Sequence, residues 1–121
     1  MLPQASIISE QVRLALAEDV GSGDLTASLL PEGKTLSAKV VCREQAVMAG
    51  SAWFDETFRQ LSPEIQVDWC FSDGDRLDSG QTLCRLQGNA RALLMAERTA
   101  LNFLQTLSAV ATRTRSFVDA V

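Results

Sequence analysis

The longest periodic stretch of the chain lies at its end, from Ala90 to Val121. Stepping about 100° per residue places Leu93, Leu94, Ala96, Ala100, Leu101, Phe103, Leu104 and Leu107 on one arc, and Arg91, Met95, Arg98, Thr99, Asn102, Gln105 and Thr106 on the other. This spacing predicts an amphipathic helix, and Asn89 after Gly88 supplies a side-chain acceptor to cap its first turn. Arg98 has Leu94, Met95, Leu101 and Asn102 at its helical neighbour positions, so no carboxylate stands where an intrahelical ion pair would form. Glu97 falls on the apolar arc, where an unpaired carboxylate is costly, and is expected to accept hydrogen bonds from an arginine, a backbone amide or another chain. Spacing alone is also satisfied by a solvated surface arginine and a carboxylate at the edge of the core.

Earlier in the chain the period changes repeatedly. Val12, Leu14, Ala15 and Leu16 form a modest helical face, capped by Ser6 or Ser9 and expected to end at Gly21, with a brief turn from Thr26 to Leu30 before Pro31. From Thr35 to Arg43, Leu36, Ala38, Val40 and Cys42 alternate with Ser37, Lys39, Val41 and Arg43, the period of two of a half-buried strand. Val47 to Ala49 continues the sheet. Gly50 and Ser51 then open a second helix with Trp53, Phe54, Thr57, Phe58 and Leu61 on one face, read as core, and Pro63 beyond its end. Ile65, Val67, Trp69 and Phe71 alternate again, and Thr82 to Gln87 forms a further strand after a long connection. The predicted fold is α+β, a mostly antiparallel sheet covered by helices on one side, with a long C-terminal helical stretch.

Composition narrows the chemistry. The 121 residues fit one domain, with 46% hydrophobic and 21% charged residues, ordinary for a globular core. A net charge of -4, with Lys34 and Lys39 as the only lysines, argues against a nucleic-acid partner. No apolar run approaches the ~20 residues that span a bilayer, and Met1 to Ser6 lacks the character of a signal peptide, so no membrane partner and a cytoplasmic location are expected. Cys42, Cys70 and Cys84 are odd in number, lack a CxxC pair and lie in apolar strand-like runs, so all three are expected to be free and buried. Without histidine there is no Ser-His or Cys-His couple and no imidazole base.

Two loops invite other readings. The Gly21, Ser22, Gly23 cluster lacks the preceding strand and the GK[ST] or full GxGxxG of a phosphate cradle. In FSDGDRLDSGQTL, an EF-hand begun at Asp73 would need glycine where Asp78 stands and glutamate where Cys84 stands. Aspartate and glycine turn chemistry explains that run without a metal.

Three segments in order carry a resemblance: EDVGSGDLTA from Glu18 to Ala27, REQAVMAG from Arg43 to Gly50, and ERTALNFLQTLS from Glu97 to Ser108 followed by Ala109 to Thr112. From about Ile7 to Val121 the chain resembles the N-terminal domain of quinolinate phosphoribosyltransferase, the carboxylating nicotinate-nucleotide pyrophosphorylase family. It departs at Ala109, where the family usually has glycine, which affects the local helix junction.

The resemblance implies a hammerhead-like domain that helps form a homodimer, and a larger barrel domain that binds phosphoribosyl pyrophosphate and magnesium and is absent from these 121 residues. It implies a parent reaction joining quinolinate to phosphoribosyl pyrophosphate to give nicotinate mononucleotide, carbon dioxide and pyrophosphate for NAD synthesis. The family's substrate-binding arginine matches Arg98, and its guanidinium fork suits a pyridine dicarboxylate. No catalytic residue, metal ligand or cofactor is assigned to this chain itself, which alone is expected to be inactive. Two alternatives accompany this reading: a related pyrophosphorylase with another substrate, and a carrier module like biotinyl or lipoyl domains. The second is weakened because neither Lys34 nor Lys39 sits in an exposed hairpin.

Overall fold

A computed structural model describes the backbone of residues 4–27 and 33–120, with side chains for 4–19 and 33–115. In chain order the elements are α1 (Ala5–Ala27), β1 (Thr35–Val41), β2 (Ala46–Val47), α2 (Ser51–Leu61), β3 (Gln66–Trp69), β4 (Arg76–Leu77), β5 (Thr82–Asn89) and α3 (Ala90–Ala120). This is the α+β fold that the alternation of periods predicts. Antiparallel pairing joins β1, β5 and β3 in that spatial order, while β2 pairs antiparallel with β4 as a separate ribbon.

The register explains which residues are inside. Val40, Cys84 and Trp69 form one row across the sheet, and Ala38, Leu86 and Val67 the next, turned towards the helices. The intervening row of Lys39, Arg85 and Asp68 faces solvent, with Arg85 between a like charge, Lys39, and an opposite one, Asp68. Against the inner face α2 presents Phe54 and Phe58, and α3 presents Leu93, Ala96, Ala100 and Leu104. A second cluster joins Ile8, Val12 and Leu16 of α1, one turn apart, to Trp53, Leu61 and Phe103.

Several expectations require correction. The first helix continues through Gly21 and Gly23 to Ala27 instead of stopping at Gly21, and Ser6 and Ser9 lie inside it, not at its cap. Its buried stripe is Ile8, Val12 and Leu16, leaving Leu14 56% exposed. The turn expected from Thr26 to Leu30 begins within this helix, and its remainder lies outside the described residues. β1 is exposed at every position but Val40, which is itself only partly buried, because α3 stands off from this edge of the sheet. At Ala109 the helix is uninterrupted.

Of the cysteines, all free, Cys42 and Cys84 are buried but Cys70 is exposed. Trp69 takes the inward position beside Cys84, and the strand's alternation turns Cys70 away. Burial, with help from the Asp55 charge, pushes the Cys84 thiol up to about 12, far from the thiolate that reacts. Maleimide labelling of the native protein is therefore expected to modify Cys70 rapidly and the other two only on unfolding; a protected Cys70 or a quickly labelled Cys84 would contradict this arrangement.

The α1–α2 contact has a polar clamp. Gln60 Nε2 donates to the Ser9 carbonyl at 2.8 Å and to Glu56 Oε2 at 2.8 Å, while Trp53 Nε1 donates to Gln11 Oε1 at 2.8 Å. Arg59 grips Glu56 with two bonds of 2.6 Å, and this pair, chiefly, lowers the Glu56 carboxyl from 4.5 to about 2. A carboxyl depressed by folding contributes stability above its unfolded pKa and loses it as pH falls. Glu56 is thus expected to add to acid destabilisation between about pH 4.5 and 2. Unfolding midpoints of Glu56→Gln against the parent check this: the difference between them should shrink across that window, and a constant difference would argue against it.

Candidate functional site

The site is built on the start of α3, which several features hold in register. Asn89 Oδ1 accepts from the Ala92 amide at 3.0 Å, the side-chain cap expected from sequence. Just before it, a Cβ on Gly88 would lie 2.8 Å from Ile65 Cγ1 and 3.1 Å from Ile65 Cα, so only glycine lets these segments meet. Farther along, the Ser108 hydroxyl accepts from the Ala49 amide and donates to the Ala49 carbonyl, both at 3.0 Å, and Thr112 Oγ1 accepts from the Val47 amide at 2.9 Å. These bonds satisfy backbone groups at the end of β2 and just after it. Gly50, at φ 97°, caps α2 against Leu107, whose Cδ1 a Cβ would meet at 3.0 Å.

On this anchored helix Arg98 is exposed and makes no hydrogen bond or ion pair with any described residue. Asn102 and Gln105 follow at i+4 and i+7, also exposed, so the three form one polar strip. Arg91, half-buried, is already engaged.

The neighbours of Arg98 depart from the sequence reading. Thr99, assigned to the polar arc, is only 2% exposed, and its hydroxyl donates to Asp19 Oδ2 at 2.7 Å. Spacing on α3 carries no signal for this, because the cover comes from α1, 80 residues away in sequence. Glu97, expected to be partnered, is exposed and has no hydrogen bond among the described residues. It does point along the apolar arc, but that arc opens on a groove of about 1070 Å³ between β1 and α3, lined by Leu36, Val40, Leu94, Leu101 and Gln105 among others. The open groove leaves the carboxylate accessible to solvent, so it needs no hydrogen-bond partner from within this chain. Leu94, on the rim, is 37% exposed for the same reason.

Other chemistry finds less support. The aspartates after Phe71 serve the turns: Asp75 Oδ2 accepts from the Ser72 amide at 2.8 Å, and Asp73 Oδ1 from the Ser51 amide at 3.2 Å. Among the described residues no group of three or more His, Cys, Asp or Glu side chains could hold a metal ion. No helix among them is long and apolar enough to cross a membrane. Lys39 stands mid-strand in β1 opposite Arg85, and Lys34 directly precedes that strand, so neither offers the hairpin tip of a carrier domain. The arrangement is suited to presenting one cation on a rigid helix to an anionic ligand.

Residues 24–108 match the family profile described as quinolinate phosphoribosyl transferase, N-terminal domain. A tobacco (Nicotiana tabacum) mitochondrial quinolinate phosphoribosyltransferase is 36% identical over 115 residues, 93% of this chain and 33% of the relative. A probable carboxylating nicotinate-nucleotide pyrophosphorylase of Bacillus subtilis is 39% identical over 101 residues, covering 84% of this chain and 35% of its own length. The solved nicotinate-nucleotide pyrophosphorylase of Francisella tularensis superposes with a TM-score of 0.92 at 36% identity, over 98% of this chain and 42% of that one. Its counterpart from Ehrlichia chaffeensis gives 0.83 at 33%, over 92% and 41%. The chain thus spans about a third of the length of the curated relatives it matches.

Proposed function

The chain belongs to the quinolinate phosphoribosyltransferase family as its N-terminal domain, and from that premise we propose that it presents Arg98 to quinolinate in a dimeric, two-domain enzyme of NAD biosynthesis. In this reading a barrel domain of the same polypeptide binds phosphoribosyl pyrophosphate and magnesium, and Arg98 reaches the barrel of the neighbouring subunit. The observation that carries the proposal is an arginine on a well-anchored helix, at the family's ERTALN segment, with no described carboxylate to neutralise it.

Physical chemistry favours arginine for this task. Quinolinate carries two carboxylates on a planar ring, and a guanidinium offers two parallel donors to one of them. Placing a cation beside a dianion also lessens the repulsion it meets on approaching a pyrophosphate-bearing partner. The proton transfers and the handling of the leaving pyrophosphate are assigned to groups outside this histidine-free chain. Its own part is to bind and orient.

The full-length enzyme, given quinolinate and phosphoribosyl pyrophosphate with magnesium, is expected to release nicotinate mononucleotide, carbon dioxide and pyrophosphate. The 121-residue chain alone should give no turnover. Failure of the full-length enzyme to consume quinolinate would overturn the substrate assignment, and turnover by the isolated chain would overturn the division of labour.

A further inference from the structure

We propose that Asp19 and Thr99 are a positioning pair that sets where Arg98 points, an inference that rests on the substrate-binding assignment of Arg98. The Asp19–Thr99 bond joins two of the segments that carry the family resemblance, EDVGSGDLTA on α1 and ERTALNFLQTLS on α3, at the position next to Arg98.

The behaviour of this threonine stands apart from that of Thr57 and Thr112 among the described residues. In a helix a threonine hydroxyl readily bonds the carbonyl one turn back. Thr57 does so to Trp53 at 2.7 Å, and Thr112 to Ser108 at 2.6 Å. The Thr99 hydroxyl instead leaves its own helix and donates to a carboxylate on α1, from a position 2% exposed. A charge-assisted bond of this kind is directional and stronger than a neutral one.

Directionality matters because the core of the α1 contact, among the described residues, is apolar. Ile8, Val12 and Leu16 pack on Trp53, Leu61 and Phe103, and the hydrophobic effect that drives such packing is not directional. The polar bonds of Ser9 and Gln11 go to α2. Asp19 therefore supplies a specific axial reference between α1 and α3. Slipping a helix by one residue moves its side chains by about 1.5 Å along the axis and turns them by about 100°. Displacements near 1 Å are enough to cost up to about a hundredfold in a positioned reaction.

The test uses the full-length enzyme carrying this domain. Thr99→Val keeps the side-chain volume but removes the donor, and is expected to raise KM for quinolinate roughly tenfold with KM for phosphoribosyl pyrophosphate unchanged. Thr99→Ser, which retains the hydroxyl, should restore the parent KM. In an Arg98→Ala background, Thr99→Val should add nothing further to the quinolinate KM, since the group it positions is gone. A parent-like quinolinate KM in Thr99→Val, with or without a lower unfolding midpoint, would reduce the bond to a structural one; so would an undiminished effect on top of Arg98→Ala. Should Thr99→Val not fold, Asp19→Asn decides: it keeps an acceptor but loses the charge, and an unchanged quinolinate KM overturns the pairing. A normal quinolinate KM in Arg98→Ala would remove the underlying assignment, an outcome separate from failure of the pair alone.

Discussion

Arg98→Ala in the full-length enzyme is expected to lower kcat/KM for quinolinate by the equivalent of about 2 to 5 kcal/mol, the scale for truncating one side of a buried, hydrogen-bonded charge pair. At about 1.4 kcal/mol per factor of ten this is some thirtyfold to several thousandfold. The unfolding midpoint should hardly move, because the side chain is exposed and has no described partner to leave behind; surface substitutions of that kind stay within about 0.5 kcal/mol. Lysine should rescue in part, retaining the charge but not the two-pronged geometry. Kinetics for both variants beside their midpoints provide the check. Near-normal kcat/KM in the alanine variant, or a loss of stability large enough to explain the drop, would rule out the substrate-binding role.

The unpartnered state of Arg98 among the described residues was legible from a local relation, the lack of a carboxylate one turn away, while its proposed role rests on the family segment around it. Local relations generally carried through. The Asn89 cap, the aromatic face of α2 and the strand alternation that buries Cys84 and Leu86 all depend on neighbours within a turn or a pleat. Features set by distant segments did not. Thr99 is buried because α1 crosses over it, and Glu97 is solvated because β1 stays clear of it. The roles of Ser108 and Thr112 were hidden for the same reason: their hydroxyls answer to backbone groups of Ala49 and Val47, 59 and 65 residues away in sequence. Gly21 argued for a helix end as a C-terminal stop signal, while glycine inside a helix costs only about 1 kcal/mol against alanine. That preference is small enough for packing to override.

The contrasting experiment is Phe54→Ala, which should destroy stability with Arg98 intact. Phe54 has no exposed surface, and its ring centroid lies 5.0 Å from those of both Phe58 and Trp69, tilted to the first and edge-on to the second. It links α2 to the inner row of the sheet. Truncating a buried phenylalanine costs about 3 to 5 kcal/mol, from lost burial plus the cavity left behind. Collapse into that space is opposed on both sides. Trp69 is held by its indole bond to Asp55 Oδ1 at 2.8 Å, and α3 is held by Ser108 and Thr112. With total stability of a domain at about 5 to 15 kcal/mol, the variant should unfold at a much lower urea concentration. The loss must appear in the midpoint with an unchanged slope, since a changed slope would mean a more compact unfolded state or a partly open native one. A shift of under about 1 kcal/mol, well below the range for buried aromatic truncations, would mean that the core relaxes freely around this ring. In that case the rigid platform from which Arg98 is presented would not depend on the aromatic cluster beneath it.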